Sequence, residues 1–264
     1  MDAVDVYCFS GTGNTLLAAR ALSERLAELG VDVRLRPLER CDPAAVDPSR
    51  CVGIACPVAV QSTYPPVWRF VEALPRRRRR TGAFLLDTLQ MYSGGILGPM
   101  RHLLQRKGYR PLGAVELRMP GNFYRSAPDE QGDARRVASA CDRARTFAED
   151  LADGTANWPR PHVHEWALYA ISRAFYARGG LVRRMAPLAA EADRCTRCGL
   201  CQRLCPTGSI DYDADGLPRF ADRCVACMRC FSYCPPEAIT LGGRDYHRNR
   251  PVKAAEFLHD DLRR

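Results

Sequence analysis

Eight of the thirteen cysteines in this 264-residue chain lie in two runs near its C-terminus. Each run has the spacing CxxCxxCxxxCP, and the second starts twenty-nine residues after the first. The cysteines are Cys195, Cys198, Cys201 and Cys205 in the first run, and Cys224, Cys227, Cys230 and Cys234 in the second. The surrounding segment, 191–242, has few large apolar side chains and cannot build much of a core. Bound metal must therefore hold it together.

The spacing within each run favours iron–sulfur clusters over zinc. Three cysteines at i, i+3 and i+6 of a tight loop can present their sulfurs to three corners of a cubane, and the fourth, before proline, turns toward the other cluster. One [4Fe-4S] cluster is thus predicted on Cys195, Cys198, Cys201 and Cys234, and the other on Cys224, Cys227, Cys230 and Cys205. Zinc ribbons instead use two separated CxxC pairs. Over this segment the sequence resembles the bacterial two-[4Fe-4S] ferredoxins.

The other five cysteines are scattered, and we interpret them as buried small hydrophobic residues. They are Cys8, Cys41, Cys51, Cys56 and Cys141. A disulfide scaffold is not favoured, because acidic residues occupy the N-terminus where a signal peptide would be basic. No stretch approaches eighteen uninterrupted apolar residues. A cytoplasmic protein without a membrane span is expected.

Strand and helix patterns alternate over the first 157 residues. Short apolar runs predict five strands, near 4–9, 31–35, 52–56, 83–87 and 112–117. Helical patterns cover 14–29, 66–74, 95–107 and 131–153. Strands separated by helices predict an α/β fold, a doubly wound five-stranded parallel sheet with ligands bound beyond the carboxyl ends of its strands.

The first strand is followed by a loop typical of phosphate binding. The loop consists of Ser10, Gly11, Thr12, Gly13, Asn14 and Thr15. Its hydroxyls and backbone N–H groups, with the helix N-terminus behind them, suit a phosphate. It lacks the lysine of a nucleotide-triphosphate loop, and Leu16 replaces the third glycine of a dinucleotide loop. With those two loop types excluded, the residues suit a site for a terminal monophosphate. The alternative is an ordinary polar turn between a strand and a helix. The sequence here resembles the flavodoxin family, whose FMN phosphate loop has the form [ST]xTGNT.

This resemblance implies that the loops after the third and fourth strands flank the flavin ring. The first of these loops contributes Pro57 and Val58, and the second contributes Thr88, Tyr92, Ser93 and Gly94. Tyr92 is the preferred stacking residue, because an aromatic beside glycines can approach the ring. The earlier loop has Tyr64 but not the tryptophan usual in flavodoxins, and surface packing is an equal alternative for either tyrosine. A third loop, 119–124, either reaches the same rim or simply leads into the last helix.

The chain divides into four parts. Residues 1–157 are predicted to form a flavodoxin-like FMN-binding domain, and 158–190 a helical linker. Residues 191–242 are predicted to form a small α+β two-[4Fe-4S] ferredoxin-like domain, and 243–264 a C-terminal tail. The linker carries five arginines and several aromatic residues, so binding to a membrane surface is the alternative to packing between domains. His162 and His164 are interpreted as loop histidines rather than metal ligands.

The formal charge of +9 does not by itself indicate a nucleic-acid partner. Two bound clusters would add about −4 and a flavin phosphate about −2, leaving about +3. The run from Arg76 to Arg80 is either a solvated loop or a patch for an acidic partner protein. No nucleic-acid-binding motif is present.

As a whole, the chain resembles the flavodoxin–ferredoxin fusion family. The resemblance implies an electron-transfer flavoprotein, an oxidoreductase relaying electrons between FMN and two [4Fe-4S] clusters, to or from redox partner proteins. Such transfer needs no catalytic side chain, and none is assigned. One alternative is an FMN-dependent reductase acting on a small-molecule acceptor in a pocket lined by Tyr92, Asn122 and Tyr124. Another is a redox-sensing binding protein. Either a monomer or a homodimer is compatible with the sequence.

Overall fold

The computed structural model describes residues 1–77, 81–178 and 180–262. Residues 78–80 of the basic run therefore lie outside the described residues. Arg77 donates a hydrogen bond to the carbonyl oxygen of Val46 at 2.7 Å, and its guanidinium lies over the ring of Tyr109. Within the described part of the chain, no helix is long and apolar enough to cross a membrane.

The N-terminal part is built on a central parallel sheet. Its strands are β1 (Ala3–Cys8), β2 (Asp32–Pro37), β3 (Cys51–Ala59), β5 (Gly82–Leu89) and β6 (Arg110–Arg118), with a short β4 (Ser62–Thr63) beside β3. The order is β2-β1-β3-β5-β6, and β4 pairs antiparallel with the end of β3. Counted over the five parallel strands this is the order 2-1-3-4-5 of flavodoxin-like sheets. The predicted fold class is confirmed.

Helices cover both faces of this sheet. They are α1 (Asn14–Glu28), α2 (Pro65–Ala73), α3 (Leu97–Arg106) and α4 (Glu130–Asp153). One core, under α1 and α4, contains Leu22, Phe84 and Phe147, and the opposite core, under α2 and α3, contains Trp68 and Leu85. The edge strand β2 alternates exposed and buried residues, whereas every residue of β5 is buried. This difference is expected between an edge strand and a central strand covered on both faces.

The third strand runs further than its sequence predicts. The prediction ends it at 56, but β3 continues through Pro57 and Val58 to Ala59 and folds back into β4. The turn places Val60 and Gln61 at φ values of 48° and 64°. A β-branched residue rarely adopts this left-handed conformation, so the tight hairpin is strained at the rim of the sheet.

The segment after the first domain contains α5 (Val163–Ala177) and α6 (Leu181–Met185). Glu165 is buried and accepts a hydrogen bond from the backbone N–H of Gly98 at 2.5 Å, which joins α5 to the start of α3. Tyr169 packs edge-on against Trp68. One face of α5 therefore packs on the first domain, while Val163 and Ile171 are exposed on the other.

The C-terminal part consists of short antiparallel strand pairs around the cysteine runs. Its elements are β8 (Leu188–Ala190), α7 (Leu200–Leu204), β9 (Ile210–Tyr212), β10 (Pro218–Phe220), α8 (Arg229–Ser232) and β11 (Ile239–Leu241), with β12 (His247–Arg248) pairing back to β7 (Phe123–Tyr124) of the first domain. Strand β9 pairs with β10, and β8 with β11. The end of the predicted linker thus supplies one strand of this unit.

The residues after 242 return to the N-terminal domain. Val252, Phe257 and Leu262 are buried in the same core as α1. The backbone N–H of Leu262 donates to the carbonyl oxygen of Leu35 at 2.9 Å. The segment predicted as a tail is therefore an integral layer over one face of the sheet, and we refer to residues 247–262 as the C-terminal strap.

Candidate functional site

The loop between β1 and α1 has the backbone geometry of an anion-binding turn. Gly13 forms the N-cap of α1 at φ 117°, a conformation that favours glycine. The hydroxyl of Ser10 accepts a hydrogen bond from the N–H of Gly13 at 3.1 Å. The loop has no basic residue, so the N–H groups at the helix start and the neighbouring hydroxyls are what it offers an anion.

A cavity lies against this loop at the carboxyl ends of the strands. The predicted cofactor-binding residues that line it are Ser10, Gly11, Thr12, Asn14, Thr15, Pro57, Val58 and Thr88. The hydroxyls of Thr15 and Thr88 are 2.7 Å apart, which ties the loop to β5. The volume is about 120 Å³. This is below the roughly 300–1,000 Å³ of a typical ligand pocket, so the cavity suits the phosphate end of FMN, and the remainder would extend over its open rim.

Residues from the third loop complete this cavity. The wall includes Met119, Pro120, Gly121 and Asn122. The hydroxyl of Thr12 donates to the side-chain oxygen of Asn122 at 2.8 Å, and the amide of Asn14 donates to the carbonyl oxygen of Pro120 at the same distance. No local sequence signal distinguishes a rim loop from a connection into α4, because these contacts join residues more than a hundred positions apart.

Of the two candidate tyrosines, Tyr64 lines the cavity, although Tyr92 was preferred from the sequence. Tyr64 is buried at the N-cap of α2. Tyr92 is 49% exposed and donates a hydrogen bond to Gln61 across the two rim loops. Ser93 donates to Glu116, and Gly94 lies against the backbone of Gln61 at φ 64°. The three rim residues 92–94 thus lie outside the cavity wall, and their ring contacts stay a prediction.

Beneath this rim is a buried carboxyl group. Asp87, in β5, is fully buried, and neither of its carboxyl oxygens has a hydrogen-bond partner among the described residues. Burial raises the pKa of Asp87 to about 8; the Ser93 hydroxyl acts against this rise, and the negative charges of Glu116 and Glu165 add to it. This environment favours the protonated form of the carboxyl.

The first cysteine run surrounds a second cavity. Its wall contains Cys195, Cys198, Cys201 and Cys234, the set predicted to hold one cluster. Left-handed residues at Arg197 and Gly199, with φ values of 56° and 75°, turn the backbone tightly between the cysteines. The fourth cysteine comes from the other run, as a crossed arrangement requires.

The second set lies deeper in the molecule. Cys227 and Cys230 are buried, whereas Cys198 of the first set is exposed. Burial raises the pKa of the Cys227 thiol to about 12, with Arg229 acting in the opposite direction and Cys224 and Cys205 adding to the rise. A bound metal would favour the thiolate forms of these cysteines. Among the described residues, no group of three or more His, Cys, Asp or Glu side chains is placed to hold a single metal ion. The cluster assignment therefore rests on the cysteine spacing and on the cavity lined by the first set.

The remaining cysteines are free thiols. Cys8 and Cys56 are buried, as expected of small hydrophobic residues, and burial raises the pKa of both thiols. Cys41, Cys51 and Cys141 are partly buried. No cysteine outside the two runs lines either of the two cavities described above.

The two sites share a buried boundary made by Arg229. Its guanidinium pairs with Glu39 at 2.7 Å, and both side chains are less than a tenth exposed. It also donates to the carbonyl oxygen of Ser10 at 2.7 Å and lies over the ring of Phe257 at 4.4 Å. One residue of the second cysteine run is thereby bonded to the phosphate loop. The sequence gives no sign of this role, because Arg229 occupies an ordinary spacer position.

Gly11 also lies at this boundary. A Cβ atom at Gly11 would collide with the carbonyl oxygen of Cys227. Tyr233 donates a hydrogen bond to the carbonyl oxygen of Thr12 at 2.6 Å. From the strap, the side chain of Val252 lies against Gly13, and Asn249 donates to the carbonyl oxygen of Gly121 in the neighbouring loop at 2.9 Å. The phosphate loop is therefore enclosed by the cysteine-run domain and by the strap.

A family model described as a 4Fe-4S dicluster domain matches residues 194–239. No curated protein matches the chain. Among solved structures, the N-terminal part is similar to the two-electron reduced flavodoxin of Megasphaera elsdenii, with 19% identity over 53% of this chain and 98% of that one and a TM-score of 0.39. It is also similar to oxidised Flavodoxin 1 from Bacillus cereus, with 10% identity, 58% and 98% coverage and a TM-score of 0.44.

The strand order and the family match together give the coarse function. A flavodoxin-like α/β domain followed by a 4Fe-4S dicluster domain fits a flavodoxin–ferredoxin fusion. This is the architecture of an electron-transfer flavoprotein with iron–sulfur centres.

Proposed function

We propose that this chain is an electron relay in which one FMN and two [4Fe-4S] clusters serve a redox partner. When bound, FMN supplies one- and two-electron chemistry and each cluster supplies one-electron chemistry. The observation that carries the proposal is the shared boundary between the phosphate loop and the second cysteine run, at Gly11 and Cys227.

The residues around the first cavity would hold FMN. Ser10, Thr12 and Thr15 would present hydroxyls to the phosphate, with the N–H groups at the start of α1 behind them. Glycine at 11 and 13 keeps the backbone close to that anion. The chain would thus bind the flavin by its phosphate end, next to the cysteine-run domain.

The crossed cysteine sets would hold the clusters in a defined order. The set of Cys205, Cys224, Cys227 and Cys230 lies against the phosphate loop, since Cys227 contacts Gly11. In the other set, Cys198 is exposed and Cys195, Cys201 and Cys234 are partly buried. We assign the buried set to exchange with the flavin site and the exposed set to exchange with a partner protein.

Arg229 and Tyr233 would keep this order fixed. Their hydrogen bonds to the phosphate loop and the pair with Glu39 are buried, so they hold two sites at short range without relying on a flexible linker. A fixed spacing gives one carrier a high effective concentration at the other. No side chain needs to act as acid, base or nucleophile for this transfer.

The first experiment is an anaerobic reconstitution of the full chain. Two cubanes and one flavin require about eight iron, eight sulfide and one FMN per chain. Zinc in place of iron, or no flavin, would overturn the proposal. After pulse reduction of the loaded protein, electron exchange between flavin and clusters should proceed at a rate independent of protein concentration. A rate proportional to concentration would show transfer between molecules instead.

A matched pair of variants tests the phosphate loop. Thr15→Val keeps the shape of the side chain but removes its hydroxyl, and should weaken FMN binding by about tenfold, the loss of roughly one hydrogen bond. Thr155→Val, at the exposed end of α4, is the control and should leave FMN binding unchanged. Iron content should stay the same in both, whereas a parallel loss of iron and flavin in Thr15→Val would argue against two separate sites.

A further inference from the structure

A third, larger cavity continues from the candidate flavin cavity. It is an open groove of about 810 Å³ between the rim loops and α4. Gln90, Met119, Pro120 and Gly121 line both spaces. Its volume is in the range of pockets for small organic ligands. Any molecule held in this groove would lie beside the flavin site.

The groove is strongly basic. Arg118, at the end of β6, and three arginines of α4, at positions 135, 136 and 143, line it. The spacing of eight residues between Arg135 and Arg143 places both on one face of the helix, with Ser139 between them. The arginines therefore stand on two different elements that border one space.

The acidic residues of the groove are already engaged. Asp129 accepts a hydrogen bond from the N–H of Gly132 at 2.9 Å and so caps α4. Asp133 accepts a hydrogen bond from Tyr124 at 2.6 Å and pairs with Arg136. By contrast, in the described part of the chain, Arg118, Arg135 and Arg143 form no salt bridge with a carboxylate. Three guanidinium groups are left to face a ligand.

Guanidinium groups bind carboxylate and phosphate oxygens with paired hydrogen bonds. Cations on two elements, spread along a groove rather than gathered at one point, suit a ligand with more than one acidic group. Met119 and Pro120, both buried, supply an apolar wall at the end nearest the flavin site. The groove thus combines an apolar end beside the flavin site with a basic, open end.

We propose that this groove binds a small organic anion with at least two carboxylate or phosphate groups, placed next to the flavin. The role of this site in electron transfer rests on the proposed function, since an anion held here is a substrate only if flavin binds in the adjoining cavity. Binding itself does not depend on the flavin. The proposal gives the relay a small-molecule exchange site distinct from the exposed cysteine set.

The test is calorimetric titration of the reconstituted full-length protein with two probes, citrate for carboxylates and inorganic pyrophosphate for phosphates. We expect saturable binding of at least one probe. The probe that binds with the higher affinity identifies whether the groove prefers carboxylate or phosphate groups. The double variant Arg135→Gln and Arg143→Gln should bind at least tenfold more weakly. Arg145→Gln, on the same helix but paired with Asp142 outside the groove, is the control.

Equal weakening in the double variant and the control, or no saturable binding of either probe, overturns the proposal. Binding that leaves the flavin absorption spectrum unchanged overturns the placement beside the flavin. Titration of flavin-free protein separates the two proposals. If the chain takes up no FMN but binds the probe through Arg135 and Arg143, the relay fails and the anion site stands.

Discussion

The hydroxyl of Tyr233 donates a hydrogen bond to the carbonyl oxygen of Thr12 across 2.6 Å, so a residue next to Cys234, the last cysteine of the second run, is bonded to the phosphate loop. Tyr233 is buried, and its ring packs against Phe257 of the strap. The two halves of the chain are therefore parts of one packed structure rather than modules on a flexible connection. Changes on one side of this boundary should be measurable on the other.

Replacing Arg229 with methionine should destabilise the protein strongly. The change leaves Glu39 buried without its cation, and removing one partner of a buried pair costs about 3–5 kcal/mol. Urea unfolding measures the loss. The double variant Arg229→Met and Glu39→Gln should recover part of it. Arg219→Met, whose pair with Asp213 is exposed, should cost less than about 1 kcal/mol. Similar losses in the free energy of unfolding for Arg219→Met and Arg229→Met would contradict a stabilising role of the buried Arg229–Glu39 pair.

Replacing Gly11 with alanine should damage both cofactor sites at once. The new methyl group would collide with the backbone of Cys227, so either the phosphate loop or the second cysteine run must move. We expect reduced FMN and reduced iron after reconstitution. Gly30→Ala is the control, because no atom lies within 4 Å of a Cβ there and its φ of 84° adds only local strain of about 1 kcal/mol. Normal cofactor content in Gly11→Ala would contradict the contact.

Exchanging single cysteines should test the crossed cluster sets. Cys234→Ala should remove the cluster whose other ligands belong to the first run, and Cys205→Ala the cluster of the second run. Electron paramagnetic resonance of the reduced variants should then show a different remaining cluster in each. If each variant instead loses the cluster of its own run, the ligands are not crossed.

Replacing Asp87 with asparagine should change how stability depends on pH. The pKa of Asp87 is raised from 3.8 to about 8 by burial, so folding takes up a proton between these values and wild-type stability falls as pH rises through them. Asparagine does not ionise, so the stability of the variant does not fall for this reason as pH rises. Its stability relative to wild type should increase from pH 5 to pH 8 by up to a few kcal/mol, at about 1.4 kcal/mol per pKa unit.

Urea unfolding of the wild type and Asp87→Asn at pH 5, 6.5, 8 and 9 measures this difference. Between pH 8 and 9 the difference should level off, because Asp87 is then ionised in the folded protein too. A difference that stays constant from pH 5 to 9 would mean that the carboxyl is already ionised near its ordinary pKa.

Short apolar runs and helical patterns predicted the sheet and its helices, and the cysteine spacing predicted the domain around the two cysteine runs, because these features depend on local periodicity and spacing. The end of β3 was missed, since Pro57 and Val58 read as loop residues and only pairing with β4 extends the strand. The hairpin turn at Val60 and Gln61 has no glycine to mark it.

For the site, the loop from Ser10 to Thr15 could be predicted to border a ligand cavity, because its residues are consecutive in the sequence. The wall at Pro120 to Asn122 could not, because its contacts to Thr12 and Asn14 are long-range. The buried role of Arg229 could not be predicted from the sequence either. A charged residue between two cysteines usually faces solvent, and only the packing of Phe9, Phe257 and Glu39 around it shows that it is buried.

The C-terminal strap also affects the order in which the protein can be completed during synthesis. Val252, Phe257 and Leu262 cover the face of the sheet on which α1 lies, and they leave the ribosome after both cysteine runs. The N-terminal domain is therefore synthesised before the residues that cover part of this face of its sheet. Until the strap is made, the apolar residues it covers stay exposed to solvent.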